Sequence, residues 1–509
     1  MGTTAAASFD FVVIGAGSAG CAVAAGLAAR EAGSVLVVEA GPSDRWPLVR
    51  MPFGLVWIMG SKRRDWRYRS APQAALGGRQ IAIPRGRMLG GSGSINSMVW
   101  FRGRADDFDN WQVPGWSWAD VAPAFDAVEA RLCPARLATP HALTEALSGV
   151  LGGNDPQAAP TPERESAGVC RFNLQNGRRR SAADAFLRPA MAGGVQVLQN
   201  HEVAKLHMTG DRISRVSFVG GAEVRARKGV ILSAGAIGSP EILLSSGLGP
   251  GDDLRAAGRD VIADLPEVGA NLHDHPGCGL HFMGAGSGYG LDASLALDWA
   301  LAPFDWLLRG KGIFASPTVE GAAFYDASGQ GGTPDIQSHF IPFLLGWEGR
   351  RYRFGRGYFA DAVVCRPKSR GALKLGKTGL EIDLGLLTNE ADLDLLTRGW
   401  LRLRELMREA DFGDMKAPEV YPAARVRDEE QARAHIRAHC GTAYHPAGTL
   451  RMGEGEAPVT SRLAVRGVRG LWVADASVMP ALTSANTNAP SMMIGHRAAE
   501  IIAADAAAA

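Results

Sequence analysis

The sequence has few cysteines, little net charge and no long apolar run. Its six cysteines are scattered without a Cys-x-x-Cys pair, which argues against a disulfide framework and a thiolate metal site. The 54 lysine and arginine residues nearly balance 52 acidic residues, and a net charge of +2 argues against a nucleic-acid-binding or membrane-surface protein. Neither a signal peptide nor a run of about 18 uncharged apolar residues is visible, so we expect a cytoplasmic protein without a membrane span.

The chain is long enough for two domains, and its first part predicts a parallel βαβ unit. Of its 509 residues, 46% are hydrophobic, so a large core can form. Apolar, β-branched runs at residues 9–14 and 35–38 flank an alanine-rich helical segment at 19–30. Further strand-like runs, which could extend or support the same sheet, lie at residues 195–198, 224–226, 230–232 and 471–473.

The middle of the chain predicts a second, sheet-based domain. From about residue 277 to 437 the sequence is rich in glycine, proline and alternating segments, such as 372–375 and 380–386. Residues 393–412 have the apolar spacing of an amphipathic helix. Aromatic residues of this region either line an apolar substrate pocket or form the domain core, and they are Trp299, Phe304, Trp306, Phe314, Phe340, Phe343 and Trp347.

A glycine-rich loop follows the first predicted strand and predicts dinucleotide binding. Gly15 permits a tight turn, Gly17 lets the backbone approach a pyrophosphate, and Gly20 lets the helix pack on the strand. The helix begins near Ser18, where free N–H groups can bind phosphates. Glu39 ends the next strand and is placed to accept hydrogen bonds from ribose hydroxyls. A purely structural glycine turn is the alternative.

A second glycine cluster lies further along the chain, in the stretch Arg87-Met-Leu-Gly90-Gly-Ser92-Gly-Ser-Ile-Asn96. It predicts that the backbone approaches the cofactor closely at a second point. Two such loops favour a flavin dinucleotide over a nicotinamide one.

From about Asp10 to its end the chain resembles the glucose-methanol-choline (GMC) oxidoreductase family. The resemblance rests on several motifs in order and not on any single one. Besides the first glycine loop they are GRMLGGS at 86–92, GAIGSP at 235–240 with SGLG at 246–249, VGANL at 268–272, RPKSRG at 366–371, HPAGT at 445–449, and DASVMP at 475–480 with NTNAP at 486–490.

The resemblance implies an α/β fold with two discontinuous domains. A Rossmann-like FAD-binding domain would comprise residues 1–140, 190–277 and 440–509. A sheet-based α+β substrate-binding domain would comprise residues 141–189 and 278–439.

The resemblance also implies which residues hold FAD. Asp475 would face the ribityl and pyrophosphate groups, the backbone of Val203 the adenine, and Ser92 and Asn96 the isoalloxazine. Some family members attach FAD covalently through a histidine of the second glycine loop. Because the matching position here is Ile95, noncovalent FAD is implied.

For the chemistry, the family pattern pairs the histidine of the His-Pro-x-Gly-Thr motif with an Asn or His of the later motif, which are His445 and Asn488 here. A histidine can accept the hydroxyl proton of an alcohol near neutral pH. Asn488 can donate a hydrogen bond to the forming alkoxide, and flavin N5 takes the hydride. Asn486 is expected to brace the turn, and Tyr444 either lines the pocket or packs.

The remaining histidines predict no metal site. His273 and His275 bracket Asp274 in a loop without further ligands at a recognisable spacing, so a structural loop is expected. His435 and His439 lie one helical turn apart, and a zinc site there would need another ligand.

The predicted function is FAD-dependent oxidation of a small primary alcohol to an aldehyde, or onward to the acid, with oxygen or another electron acceptor. A hydroxynitrile lyase-like enzyme and a fatty acid photodecarboxylase on the same fold are alternatives, as is a non-catalytic flavoprotein. The presence of both His445 and Asn488 favours oxidation. The stretch around His445 resembles oxidases as much as dehydrogenases, and the alcohol and the oligomeric state stay open.

Overall fold

Two large β-sheets organise the protein. The computed structural model describes residues 7–151, 158–329, 331–344, 347–348, 351–352, 354–377 and 379–508. In chain order its strands are β1 (Ala7–Ile14), β2 (Val35–Glu39), β3 (Tyr68–Arg69), β4 (Ala82–Ile83), β5 (Ala135–Arg136), β6 (Ser166–Val169), β7 (Arg171–Phe172), β8 (Leu174–Gln175), β9 (Arg178–Arg179), β10 (Gln196–Gln199), β11 (Val203–Thr209), β12 (Arg212–Phe218), β13 (Glu223–Leu232), β14 (Leu248–Gly249), β15 (Ala263–Asp264), β16 (Pro276–Met283), β17 (Gly290–Leu291), β18 (Gly321–Tyr325), β19 (Ile336–Ile341), β20 (Trp347–Glu348), β21 (Arg351–Tyr352), β22 (Gly355–Val364), β23 (Ala372–Gly376), β24 (Gly379–Asp383), β25 (Glu419–Tyr421), β26 (Gly441–Thr442) and β27 (Leu471–Val473).

The described residues also form α-helices. They are α1 (Ser18–Ala29), α2 (Pro47–Arg50), α3 (Leu55–Ile58), α4 (Ala105–Asp109), α5 (Trp118–Leu132), α6 (Ala142–Ala146), α7 (Arg188–Ala192), α8 (Gly235–Ser245), α9 (Gly251–Ala256), α10 (Ala296–Arg309), α11 (Glu390–Glu409), α12 (Glu429–His439) and α13 (Asn488–Ala508). Among the described residues, no helix is both long enough and apolar enough to cross a membrane.

The first sheet confirms the predicted βαβ unit. Its strand order is β10-β2-β1-β13-β12-β11, and β27 pairs with β13. Strands β10, β2, β1, β13 and β27 are parallel, and α1 connects β1 to β2. The central strands are apolar on both faces because helices cover both, as in other parallel sheets. All four strand-like runs predicted outside the βαβ unit belong to this sheet.

One part of this sheet differs from the prediction. Residues 224–226 and 230–232 form a single strand, β13, although two charged residues separate them. The Arg227 side chain donates to Asp10 of β1, and the Lys228 side chain donates to the carbonyl oxygen of Ala32, so both side chains have polar partners. Strands β11 and β12 add an antiparallel arm that the half-polar sequence did not indicate.

The second sheet has the strand order β25-β16-β22-β19-β18-β6, with β17 and β26 paired to its members. Helix α11 packs on this sheet and confirms the helix predicted at 393–412, but it spans Glu390–Glu409. It begins early because the Asn389 side chain accepts a hydrogen bond from the N–H of Ala391. The predicted segments at 372–375 and 380–386 form a separate hairpin, β23-β24. The domain limits given above stay a prediction.

Candidate active site

A cavity of about 1060 Å³ extends from the first glycine loop to the face of the second sheet. Gly15, Ser18 and Glu39 line one end, and His445 and Asn486 line the other. Ligand pockets usually measure about 300–1,000 Å³. The cavity therefore has room for a dinucleotide together with a small substrate.

The first glycine loop has the geometry that dinucleotide binding requires. Gly15 has a φ of 97°, which an L side chain rarely adopts. A Cβ on Gly20 would lie 2.0 Å from the carbonyl oxygen of Gly15, so only glycine allows α1 to start so close to β1. Gly17 and Ser18 line the cavity at the start of α1.

The second glycine loop packs directly on the first. A Cβ on Gly91 would lie 2.8 Å from the Cα of Gly17. Gly90, with a φ of 84°, shapes the turn without lining the cavity, whereas Gly91 and Ser92 do line it. The two loops together form one glycine-lined wall.

Glu39 is a buried acceptor at the nucleotide end of the cavity. Its Oε2 accepts from the N–H of Ala16 at 3.0 Å, and its Oε1 accepts from the N–H of Gly41 at 2.9 Å. Burial raises the pKa of Glu39 to about 7. Each carboxylate oxygen has a further lone pair, so both can also accept from a hydroxyl.

Asp475 and Val203 line the same cavity. The carboxylate of Asp475 accepts from the N–H of Gly235 at 2.9 Å, from the hydroxyl of Ser239, and from the N–H of Ser477 at 2.8 Å. Asp475 thus holds the start of α8 against the segment after β27. Val203 is the first residue of β11.

Ser92 and Asn96 line the cavity and are held by neighbouring groups. The Ser92 hydroxyl accepts from the N–H of Gly86 at 3.2 Å. Asn96 Oδ1 accepts from Nη1 of the buried Arg179 at 2.7 Å, and also from the N–H of Met98 at 3.1 Å. The amide of Asn96 is therefore fixed before any ligand binds.

Asn488 lies at the nucleotide end and not beside His445. It is the first residue of α13, and its Oδ1 accepts from the Ser18 hydroxyl at 2.7 Å. Its Nδ2 is buried and has no hydrogen-bond partner among the described residues. A buried donor without a partner is costly, so a polar atom of a ligand at this point would satisfy it.

The residue that contacts His445 is Asn486, which corrects the predicted pairing of His445 with Asn488. Asn486 Nδ2 lies 3.0 Å from His445 Nε2. Asn486 and Asn488 are two residues apart, but only Asn488 belongs to α13, so their side chains leave the chain at different points. The sequence did not distinguish the two asparagines of this motif, and the catalytic role of either one stays a prediction.

A chain of hydrogen bonds determines which nitrogen of His445 carries a proton. His275 Nε2 faces the carbonyl oxygen of Thr483 at 3.1 Å and must donate to it. The Nδ1 of neutral His275 is then an acceptor, so His445 Nδ1, 2.9 Å away, donates. His445 Nε2 is left with a lone pair, which accepts from Asn486, whose Oδ1 accepts from Gln337 Nε2 at 3.1 Å.

Both imidazoles are neutral near pH 7. Burial lowers the pKa of His445 well below its usual value, and the neighbouring His275, His339 and Arg85 lower it further. Burial likewise lowers the pKa of His275 to about 4. His445 therefore presents an unprotonated Nε2 to the cavity.

Asp274 joins the two loops that carry the histidines. Its Oδ1 accepts from the backbone N–H groups of His445 and His275, both at 2.8 Å, and its Oδ2 accepts from the Thr442 hydroxyl. Burial raises the pKa of Asp274 to about 6. From the sequence, residues 273–275 were expected to form a structural loop. Their position just before β16, where polar groups at a strand end often form sites, was the available signal.

His339 and Asp361 form a polar pair on the cavity face of the second sheet, and the sequence analysis missed both. His339 Nδ1 lies 3.2 Å from Asp361 Oδ1. Although burial opposes protonation, the adjacent carboxylate raises the pKa of His339. Both residues line the cavity.

The predicted aromatic residues do not line the cavity, so a core or surface role is correct for those whose side chains are described. Trp299, Phe314 and Phe343 pack around Phe53, and Phe340 lies in the core beside α11. The Trp347 side chain lies outside the described residues. The cavity is lined instead by other rings, including Phe359 and Tyr444, which resolves the open role of Tyr444.

Comparison with known proteins identifies the family. Residues 9–277 and 367–495 match the amino- and carboxy-terminal models of GMC oxidoreductases. The chain belongs to the GMC oxidoreductase family. It is 35% identical over 528 residues to an oxygen-dependent choline dehydrogenase of Rhizobium johnstonii, covering 97% of this chain and 95% of the relative. A Brucella suis protein of the same name is 35% identical over 525 residues, with the same coverage.

Solved structures agree with this assignment. Pyridoxine 4-oxidase from Mesorbium loti has a TM-score of 0.82 at 27% identity, covering 96% of this chain and 98% of the other. Formate oxidase from Aspergillus oryzae has a TM-score of 0.86 at 23% identity and covers 99% of both chains, which supports the fold. The protein is thus an FAD-dependent alcohol oxidoreductase with the α/β fold expected from the sequence. Within the described residues, no group of three or more His, Cys, Asp or Glu side chains could hold a metal ion.

Proposed function

We propose that the protein oxidises a primary alcohol to an aldehyde, with His445 Nε2 accepting the hydroxyl proton. The hydrogen-bond chain from Thr483 through His275 carries this proposal, because it leaves Nε2 as the unprotonated nitrogen. A base that is neutral and buried at pH 7 is available for proton transfer without first losing a proton to water.

Asn486 orients the alcohol. Its Nδ2 has two hydrogens, one of which now bonds to His445 Nε2. When the substrate hydroxyl takes that position at Nε2, the amide can donate to the substrate oxygen as negative charge develops there. Gln337 holds the other end of the amide at 3.1 Å, so the donor is fixed in advance.

The chemical groups that line the cavity suit the parts of FAD. The glycine wall accommodates a pyrophosphate, Glu39 offers acceptors for ribose hydroxyls, and the buried Nδ2 of Asn488 needs an acceptor. When bound, FAD supplies the acceptor for the hydride that leaves the alcohol carbon. Asp475 and Val203 are proposed to flank it at the nucleotide end.

We also infer that FAD is held noncovalently. The position at which some relatives carry a linking histidine is Ile95, whose hydrocarbon side chain cannot form such a bond, and Ile95 lines the cavity. Acid denaturation should release all of the yellow flavin into the supernatant. Flavin that stays with the precipitated protein would contradict this inference.

The proposed reaction is tested by mixing the enzyme anaerobically with choline, pyridoxine, benzyl alcohol, butanol and glucose. The names of the relatives suggest the first two probes. Bleaching of the flavin by at least one alcohol supports the proposal. If no alcohol bleaches it and a cyanohydrin is cleaved, the lyase alternative holds, and light-dependent loss of CO2 from a fatty acid would indicate the decarboxylase. Exposing the reduced enzyme to air then separates an oxidase from a dehydrogenase.

A further inference from the structure

A row of large apolar side chains is exposed on α10. Leu308, Leu297 and Phe304 are 81%, 70% and 61% exposed, although residues of this type usually face a core. Together with Leu301 they follow the spacing of one helical stripe. The opposite side of α10 is already buried through Ala302 and Trp306, so the exposed stripe is a second apolar face. We call the whole exposed set the apolar ridge, and it comprises Val56, Trp57, Leu297, Leu301, Phe304, Leu307 and Leu308.

The two parts of the apolar ridge are joined by aromatic rings, of which Phe53 is buried and Trp299 and Phe314 are half-buried. The ring of Phe53 lies 5.6 Å from that of Trp57 and 5.8 Å from that of Trp299 on α10. Phe314 stacks on Phe53 and also contacts Trp57. The ridge therefore rests on a rigid aromatic base. Contiguous exposed apolar surface of this kind usually marks an interaction site.

Basic side chains border the ridge. Lys62 and Arg63 are exposed just after α3, and Lys311 is exposed just after α10. Arg178 lies over the ring of Trp306. The charge of Arg309, at the end of α10, is offset by Asp305, 3.1 Å away. Two acidic residues, Asp292 and Asp298, lie at the opposite, amino-terminal end of α10.

We propose that the apolar ridge docks on the surface of an anionic phospholipid bilayer, with α10 lying in the plane of the interface. An apolar helix face with exposed tryptophan and a basic border is the combination that binds such surfaces. The 14 residues of α10 extend only about 21 Å, so the helix lies on the bilayer and does not cross it. The whole-chain charge of +2 had argued against a membrane surface, but docking depends on local charge.

The basic border of the ridge favours a bilayer, because the exposed Lys62, Arg63 and Lys311 complement anionic lipid headgroups. A two-fold contact of the ridge with a second copy of the chain is the alternative that the experiment separates. Docking would also have a consequence for the cavity, because Leu55 and Met59, adjacent to the exposed Val56 and Trp57, line its wall. The membrane would then lie beside the cavity.

The test is co-sedimentation of the full-length FAD-loaded enzyme with phosphatidylcholine vesicles prepared with and without phosphatidylglycerol. We expect binding to the anionic vesicles, weakened by salt and by Lys62→Glu with Arg63→Glu. Phe304→Ser with Leu308→Asn should weaken binding about tenfold or more, since each lost side chain removes buried apolar area. Ile262→Asn changes an exposed apolar residue outside the ridge and should bind as the parent does.

Three results would overturn the proposal. The first is a parent enzyme that does not sediment with anionic vesicles, and the second is ridge variants that bind them as well as the parent. The third is a dimer, seen by analytical ultracentrifugation, that the ridge variants lose, because the ridge would then contact a second copy. Flavin content and alcohol-driven bleaching equal to the parent show that the variants are folded.

Discussion

His275 and His445 meet through their Nδ1 atoms, 2.9 Å apart. Because the Thr483 carbonyl requires the proton on Nε2 of His275, the contact forces a proton onto Nδ1 of His445. The loop before β16 thus determines which ring nitrogen carries the proton in His445, a residue 170 positions later.

Replacing His275 should impair catalysis through His445. In His275→Phe the acceptor for the Nδ1 proton is lost, so His445 is no longer held in one tautomer. We expect flavin reduction to slow by about an order of magnitude or more. Since His275 also lowers the pKa of His445, the acid limb of the rate profile should move to higher pH. A slower rate with an unmoved acid limb would indicate a merely structural role, and His275→Gln should recover part of the rate.

The pH dependence of the parent enzyme follows from burial. Proton transfer requires neutral His445, and its pKa lies well below the usual value. The rate constant of flavin reduction should therefore be constant around neutral pH and fall only as pH decreases through that lowered pKa. Stopped-flow measurement at saturating alcohol checks this. An acid limb at or above about pH 6.5, the ordinary histidine value, would contradict it.

The two asparagines of the NTNAP motif should have different functions, one in flavin reduction and the other in FAD binding. Asn486→Ala removes the amide beside His445 and should slow flavin reduction about 10²-fold while FAD stays bound. Asn488→Ala removes the partner of Ser18 and should weaken FAD binding by up to about tenfold. Rapid-mixing kinetics and FAD titration of the apoprotein measure the two effects. The reverse pattern would restore Asn488 as the partner of His445.

The first glycine loop should not tolerate a methyl group at its third glycine. In Gly20→Ala the Cβ would overlap the carbonyl of Gly15, which should cost about 1–3 kcal/mol and reduce FAD content. Gly149→Ala is the matched control, because its Cβ would meet nothing within 4 Å. Thermal unfolding and flavin absorbance report both quantities. Equal stability of the two variants would show that α1 is not packed as described.

Features that depend on neighbouring residues were predicted from the sequence, whereas contacts between residues distant in the chain were missed. Residues 9–39 were predicted well because strand, loop, helix and acid follow each other and each has a local pattern. The pairings of His445 with His275 and of His339 with Asp361 depend on how separate strands meet, which no local pattern contains. The NTNAP motif did not show which asparagine contacts His445, because a motif identifies a turn, whereas side-chain direction depends on where α13 begins.

Single-turnover flavin reduction in His445→Ala shows whether His445 accepts the substrate proton. With an alcohol that bleaches the parent enzyme, the variant should bind FAD normally and reduce it about 10²–10⁴-fold more slowly. If His445→Ala reduces its flavin as fast as the parent, a group other than His445 accepts the proton.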